Sequence, residues 1–416
     1  MTDQEIVVVG YDTVSALGTD SDIQWRRALN GESGIGKLTR FPADNNFPVH
    51  IAGQVDDFDA KHYPFLTPRA LALWPSPLFK FGMLAVHRAL EDSGIEITPA
   101  LAPRVGVTFS SAVGGLDAVL QADRRLIAKG KLPTPSANPN SCINMVGGKV
   151  SILTGATGPI TATITACATG VTSIIIGCMM LKQRIADVVV CGAVDFALVA
   201  PIVAGFATMN GAFRTHPEIS DESAASASRP FSIHRRGFVI SEGAGAIILT
   251  TDEFAKAHGL TVYSAIAGWS MTSDAHHFVA PNFDTVKRCI AESIIDSGIA
   301  PEDIDAVNAH ATSTKVGDKV EYDALKAVFG KKPPPISANK SLIGHAMGAS
   351  SAIEAVFAIR GMQSSRLLPT INYTPDPAME LDCVSEGARR LNQEFVLKNA
   401  FGFGGCNSCI VFRRVG

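Results

Sequence analysis

The sequence predicts an α/β protein made of two related halves, each a sheet covered by helices, and three observations carry that expectation. β-Branched runs such as EIVVVGYDTV, RVGVTFSSA and ADVVVCGAVDFA read as buried strands, because strands apolar on both faces belong to sheets covered on both sides. Between them lie segments with apolar residues at helical spacing: Phe81 to Ser93, Cys167 to Leu181 and Val286 to Ser297. The unit of helix, glycine stop and strand also occurs twice. Asp92-Ser93-Gly94-Ile95 leads into RVGVTFSSA, and Asp296-Ser297-Gly298-Ile299 leads into DIDAVNAHA. This duplication places a boundary near residue 260, giving an N-terminal half of residues 1–260 and a C-terminal half of residues 261–416.

Composition agrees with this class. With 416 residues, 46% hydrophobic and 18% charged, the chain can bury the core of one large or two fused α/β domains, which excludes disorder, collagen and a small disulfide scaffold. Lys plus Arg number 36 against 39 Asp plus Glu, and no long run of either sign occurs, so nucleic-acid binding is not expected. The eight cysteines follow no framework spacing, and the start Met-Thr-Asp-Gln-Glu is acidic where a secretory leader is basic and then apolar. Both features predict a reducing, cytoplasmic compartment. The longest apolar stretch, Val171 to Leu181, stops at Lys182, short of the ~20 residues that span a bilayer, so it reads as a buried helix and no membrane partner is expected.

Taken in order, EIVVVGYDTVSALG is a strand closed by a glycine turn, but Gly10 lacks the partners of a dinucleotide fingerprint. The prolines of Trp74 to Pro77 interrupt regular structure. Cys167 opens an apolar helix, where unpaired backbone amides are expected to lower its thiol pKa; a lone cysteine is otherwise a small buried hydrophobe. Helices alternating with strands predict a largely parallel sheet, and Ala212 to Arg236, without periodicity, reads as surface loops. His310 follows the strand DIDAVNA, at the carboxyl end where open α/β sheets place ligand sites. His345 lies in NKSLIGHAMGASSAIE, flanked by Lys340 and Glu354.

With Cys167, His310 and His345 in this order, the sequence resembles the β-ketoacyl-acyl carrier protein synthases, the elongating type II enzymes of the thiolase-like superfamily. The resemblance runs nearly end to end: IVVVGYDTVSALG, WRRALNGESGI, IAGQVDDFD, TACATG, SRPFSIHRRGFVISEGAGAI, NAHATST, NKSLIGHAMGASSAIE, PTINYTPDP and FGFGGCNSCIVF. It implies a thiolase-like fold with duplicated halves in a five-layer α-β-α-β-α arrangement, and a decarboxylating Claisen condensation. By the same resemblance Cys167 is the acyl-accepting nucleophile, and His310 and His345 serve decarboxylation and condensation. Lys340 and Glu354 form a supporting network, and the Phe403 amide joins that of Cys167 as an oxyanion donor, Phe403 also acting as a gate. Thr312 and Thr314 are implied to bind phosphopantetheine, which arrives on the acyl carrier protein, so no cofactor or metal is expected on the enzyme itself. Val113 and Phe206 are candidate acyl-pocket residues, with Phe401 beside them as pocket or packing. The family also implies a dimer, either a homodimer or a heterodimer with a chain-length factor.

Several positions depart from the family pattern. Ala311 stands in the H-G-T-S-T motif, Cys406 replaces a threonine, and Ser232 and Arg236 replace two acidic residues, so an electrostatic contact there must be rebuilt or absent. A basic carrier-binding helix is replaced by LALWPSPLFK, with only Arg69 and Lys80 nearby. Val113 is smaller than its usual counterpart, which leaves room for a long or polyunsaturated chain. Cys406-Asn-Ser-Cys409 spells C-x-x-C, but a strand puts its cysteines on opposite faces. The adjacent His276 and His277 match a loop near the carrier entrance. Three classes compete: fatty-acid elongation, a type II polyketide or aryl-polyene ketosynthase, and a non-catalytic chain-length factor, against which Cys167 argues.

Overall fold

The computed structural model describes residues 4–215 and 220–415. Its main strands are β1 (Ile6–Val14), β2 (Val105–Ser110), β3 (Ile160–Thr161), β4 (Val188–Phe196), β5 (Glu242–Thr251), β6 (Ser264–Ser273), β7 (Ala306–Asn308), β8 (Ile336–Ser337), β9 (Phe395–Gly402) and β10 (Cys406–Arg413). The helices that frame them are α1 (Pro68–Leu73), α2 (Pro77–Ser93), α3 (Leu116–Lys129), α4 (Met145–Thr154), α5 (Thr169–Lys182), α6 (Ala200–Thr208), α7 (Phe283–Asp296), α8 (Lys315–Phe329), α9 (Lys340–Ile343) and α10 (Met347–Ser364).

The duplicated tetrapeptides do the same work in both halves. Gly94 and Gly298 close α2 and α7 at φ 67° and 69°, a conformation that favours glycine. The preceding acid reaches back to the first strand of its own half: Asp92 Oδ2 accepts from Tyr11 N–H at 3.1 Å, and Asp296 Oδ2 accepts from Trp269 N–H at 2.9 Å. Beside these amides the helix end lies against Gly10 or Gly268, where an added Cβ would meet backbone atoms at 2.3 and 2.4 Å. The repeat therefore docks a helix C-terminus onto a strand, twice.

The strands run in the order β8-β7-β9-β10-β6-β1-β5-β4-β2-β3, so each half, read from the centre outward, has the same topology. The two halves of the sheet join where β1 pairs antiparallel with β6, from Ile6–Ile266 to Val8–Ser264. Within a half the sheet is parallel except for one strand: β5 runs antiparallel between β1 and β4, and β10 runs antiparallel between β6 and β9. The expected largely parallel sheet is corrected by that inserted strand, whose pairing is set by tertiary contacts and not by local pattern.

Alternate residues define the layers. Val188 and Val190 point into a core with α2, while Val189 and Cys191 join a second core that also contains Ile174 of α5, Val356 of α10, and Ile410 and Phe412 of β10. On the far face of that sheet, Cys409 and Val411 pack with Val286 of α7 and Leu325 of α8. Helix, sheet, helix pair, sheet, helix is the five-layer arrangement, with α5 and α10 as the shared middle. They pack tightly: a Cβ on Gly170 would lie 2.5 Å from the Ala352 nitrogen.

Two local expectations are refined. Pro77 is the first residue of α2, capped by Ser76, so the proline segment is a helix junction. The Ala212–Arg236 stretch is not simply surface: Phe231 and Ser232 are fully buried and Arg235 nearly so, because they pack against the loop after β7; residues 216–219 of it lie outside the described residues, as do residues 1–3 of the acidic start. Among the described residues no helix is long and apolar enough to cross a membrane.

Candidate active site

The middle layer brings residues of both halves to one point. Cys167 lies in a tight turn, Ala166–Ala168, that leads into α5, with Ala166 at φ 48°. His345 lies between α9 and α10, and its Nε2 stands 3.1 Å from the Cys167 sulfur. Its Nδ1 is 3.0 Å from Ser350 Oγ, which also accepts from Ala346 N–H at 2.7 Å. The Ser350 hydroxyl can donate its own proton to Nδ1 while accepting from Ala346, and in that tautomer the imidazole N–H is on Nε2, facing the sulfur. His310 follows β7, edge-on to His345 with ring centroids 5.8 Å apart and to Phe401 at 5.6 Å.

Burial governs the electrostatics. It holds both imidazoles well below the ordinary value of 6.5, helped by the Lys340 and Lys398 ammonium groups, so both rings are neutral. The Cys167 thiol is pushed up to about 12 by burial, opposed by Lys340 and by the amide N–H groups of Phe403 and Cys167 that point at the sulfur. The expected lowering at a helix N-terminus is therefore overturned, because desolvation outweighs those donors. The same two amides form a donor pair at the sulfur. Gly402 makes the approach possible, since a Cβ there would sit 2.3 Å from the Thr165 oxygen.

Behind the histidines lies a buried charge network. Lys340 Nζ donates to the His310 carbonyl at 2.6 Å and to Glu354 Oε1 at 2.7 Å, and Glu354 Oε2 accepts from Lys398 Nζ at 2.8 Å. Glu321 accepts from the N–H groups of His310 and Ala311 at 2.8 and 2.7 Å, and from Asn399 Nδ2 at 3.0 Å. Lys398 and Glu321 were not singled out from sequence. The available signal is the Lys-Asn pair in the otherwise apolar strand FVLKNAFG.

On the access side, the Thr312 and Thr314 hydroxyls lie 3.0 Å apart and half-buried. The Phe403 ring is 6.2 Å from that of Phe206, which meets Phe238, itself 5.3 Å from His345, so a file of rings joins the Phe403 loop to the histidine. Val113 and Phe206 are half-buried against one apolar cluster, and the Val113 N–H is held by Asp195 Oδ1 at 2.9 Å. Asp195 also accepts from Ala349 at the start of α10, and burial pushes its carboxyl up to about 6. Gly404 N–H donates to Phe278 O in the His276–His277 loop, where His277 Nδ1 accepts two backbone N–H groups.

The departures also find their places. Beside Ser232 and Arg236, Arg235 pairs with Asp376 at 2.8 Å and donates to the carbonyls of Thr314 and Lys315. Cys409 is buried and Cys406 half-buried on β10, three residues apart and so facing opposite ways; among the described residues no metal-binding cluster occurs. Cations missing from LALWPSPLFK stand across from it: a 370 Å³ groove lined by Ala72 and Pro75 is rimmed by Arg124, Arg125 and Lys129 of α3.

Residues 3–255 match the model of the beta-ketoacyl synthase N-terminal domain, and residues 263–374 that of the C-terminal domain. The chain is 36% identical to the 3-oxoacyl-[acyl-carrier-protein] synthase 2 of Coxiella burnetii over the whole of both chains. It is 34% identical to that of Staphylococcus aureus, over 99% of this chain and 98% of the relative. Among solved structures it is similar to a beta-ketoacyl synthase from Burkholderia phymatum (TM-score 0.90, 28% identity, 99% and 100% of the chains covered). It is also similar to a type II polyketide ketosynthase complexed with its acyl-carrier protein (TM-score 0.89, 27% identity, all of both chains).

Proposed function

Because this chain belongs to the beta-ketoacyl synthase family, we propose that it joins an acyl chain on Cys167 to malonyl-carrier protein by decarboxylative Claisen condensation, extending it by two carbons. It is an acyltransferase-type condensing enzyme of fatty-acid synthesis, and the contact of His345 Nε2 with the Cys167 sulfur carries the mechanistic reading. In the first half-reaction the sulfur attacks the carrier-bound thioester, the Cys167 and Phe403 amides hold the oxyanion, and the thiol proton leaves with the departing phosphopantetheine thiol. Malonyl-carrier follows. Loss of carbon dioxide leaves an enolate whose oxygen meets the N–H donors of His310 and His345, and its carbon attacks the Cys167 thioester.

Lys340 and Glu354 position His310, Thr312 and Thr314 receive the pantetheine arm, Phe403 gates it, and Val113, Phe206 and Phe401 shape the acyl side. We assign residues 1–260 to the half that supplies the nucleophile and 261–416 to the half that supplies the histidines. Phosphopantetheine comes as part of the substrate, and the enzyme uses no cofactor of its own. The carrier docks at the Arg124–Arg125–Lys129 groove, whose charge suits an acidic partner. The chain forms a dimer through the β3 edge, where Ile152, Ile160 and Ile164 are exposed. We place it in the cytoplasm, where its eight free cysteines stay reduced. A polyketide ketosynthase working with a chain-length factor is the second reading, favoured by solved-structure likeness at 27% identity against 34–36% for the synthase 2 relatives.

The test is mass gain at Cys167 from acyl-carrier, then release of β-ketoacyl-carrier, with Cys167→Ala as control. Extension of saturated chains is expected. Acylation without extension until a chain-length factor is added favours the second reading, and no adduct with any donor overturns the enzyme.

A further inference from the structure

Lys340 and Glu354 already satisfy each other, yet a second lysine reaches the same carboxylate from β9. Lys398 is fully buried, and its Nζ donates to Glu354 Oε2 at 2.8 Å and to Asn399 O at 2.6 Å. Burying an ammonium is costly, so a strand that carries one must gain something a methionine of similar length does not give. The charged groups around the two imidazoles are Lys340 of α9, Glu354 of α10, Lys398 of β9 and Glu321 of α8. Asp195 of β4 acts on Cys167, and the thiols of Cys167 and Cys409 complete the set. Without Lys398, the lysine–glutamate–lysine group loses its net positive charge.

We propose that Lys398 is a positioning residue for condensation: its ammonium, linked through Glu354 to Lys340, keeps His310 and His345 as neutral N–H donors and so protects the enolate from premature protonation. This rests on the condensing reading above. When the malonyl C–C bond breaks, carbon dioxide leaves and its electron pair enters the enolate. That pair then forms a C–C bond to the acyl carbonyl while the bond to the Cys167 sulfur breaks. The alternative is capture of a proton from an imidazolium, which yields acetyl-carrier and a neutral imidazole. A neutral imidazole N–H stabilises the oxygen without surrendering its proton, whereas an imidazolium does surrender it. Burial first and then Lys340 hold both rings well below ordinary imidazole values, and Lys398 adds to that in each.

The experiment uses the full chain, pre-acylated at Cys167 and supplied with malonyl-carrier, and reads the ratio of acetyl-carrier to β-ketoacyl-carrier over about pH 5 to 8. In Lys398→Met the onset of acetyl product on acidification moves upward by about one pH unit, a tenfold change in the ratio at fixed pH. Acylation of Cys167 is followed in the same variant. Lys398→Arg keeps the wild-type onset. The double variant Lys398→Met/Glu354→Gln, which restores the net charge, returns the onset toward wild type even though it turns over more slowly. An unshifted onset with acylation and condensation falling together makes Lys398 merely structural and overturns the proposal. If the methionine variant does not melt cooperatively, Lys398→Gln is read instead, and the double variant against Glu354→Gln alone gives the same charge comparison. Absence of β-ketoacyl product from wild type sinks the condensing reading itself, a separate outcome.

Discussion

At the residue scale, the proposed nucleophile, Cys167, rests as a thiol. With Cys167 pushed up to about 12 by burial, its alkylation by iodoacetamide should still climb at about pH 10, where an ordinary cysteine, half-ionised near about 8.5, has levelled off. A plateau near neutrality would show that the turn and its amides win over desolvation. Gly402→Ala should lower condensation by about 10²-fold, because the added methyl meets the Thr165 oxygen and pushes the Phe403 amide away from the oxyanion position. Steady-state kinetics with the melting curve would separate that from unfolding, and an unchanged kcat would remove Phe403 as a donor. The reactive trio and its Lys340–Glu354 support were legible because each lies in a motif of distinctive composition. Lys398, Glu321 and Ser350 were not singled out: they belong to the site through distances set by β9, α8 and the first turn of α10, although Lys398 sits in a mostly apolar strand and Ser350 lies in the His345 motif.

At the scale of elements, the tightest joint is between α5 and α10. Gly170→Val should destabilise the fold by about 1–3 kcal/mol, since the Ala352 backbone has no room to withdraw between two sheets. Denaturant unfolding would measure this, and a loss within error would mean that α10 can slide. The helices and their glycine stops were readable from sequence, because capping and amphipathic spacing are local, and the Asp92 and Asp296 repeats even disclosed the duplication. The reversal of β5 and β10 was not, because a strand's direction depends on partners far along the chain. The buried course of Phe231 to Arg235 escaped for a similar reason: its polar groups are satisfied by Asp318, Asp376 and the Thr314 and Lys315 carbonyls, so polarity there does not mark solvent.

At the scale of the whole molecule, buried titratable groups oppose one another. Asp12 is pushed up to about 8 by burial, so between 3.8 and about 8 the folded chain keeps a proton that the unfolded chain has released. Its contribution is complete below 3.8 and is lost as pH rises through about 8. His310 and His345 act the other way, withdrawing stability as pH falls below 6.5. Asp12→Asn should therefore remove a decline in melting temperature between 3.8 and about 8 and leave the slope above that window unchanged; an unaltered slope within the window would contradict it. The middle core also mixes residues of β4 and β5 with those of β9 and β10, so neither 1–260 nor 261–416 expressed alone should melt cooperatively. A sharp calorimetric transition from either fragment would show that it carries a sufficient core. The duplicated topology has one more consequence, for ancestry. The proposed nucleophile, Cys167, stands in the first copy just before α5, His345 stands at the equivalent point of the second just before α10, and His310 follows β7 of the second. A forebear with a single copy could have brought the two kinds of group together only by pairing two chains, and fusing them let each copy specialise without losing its counterpart.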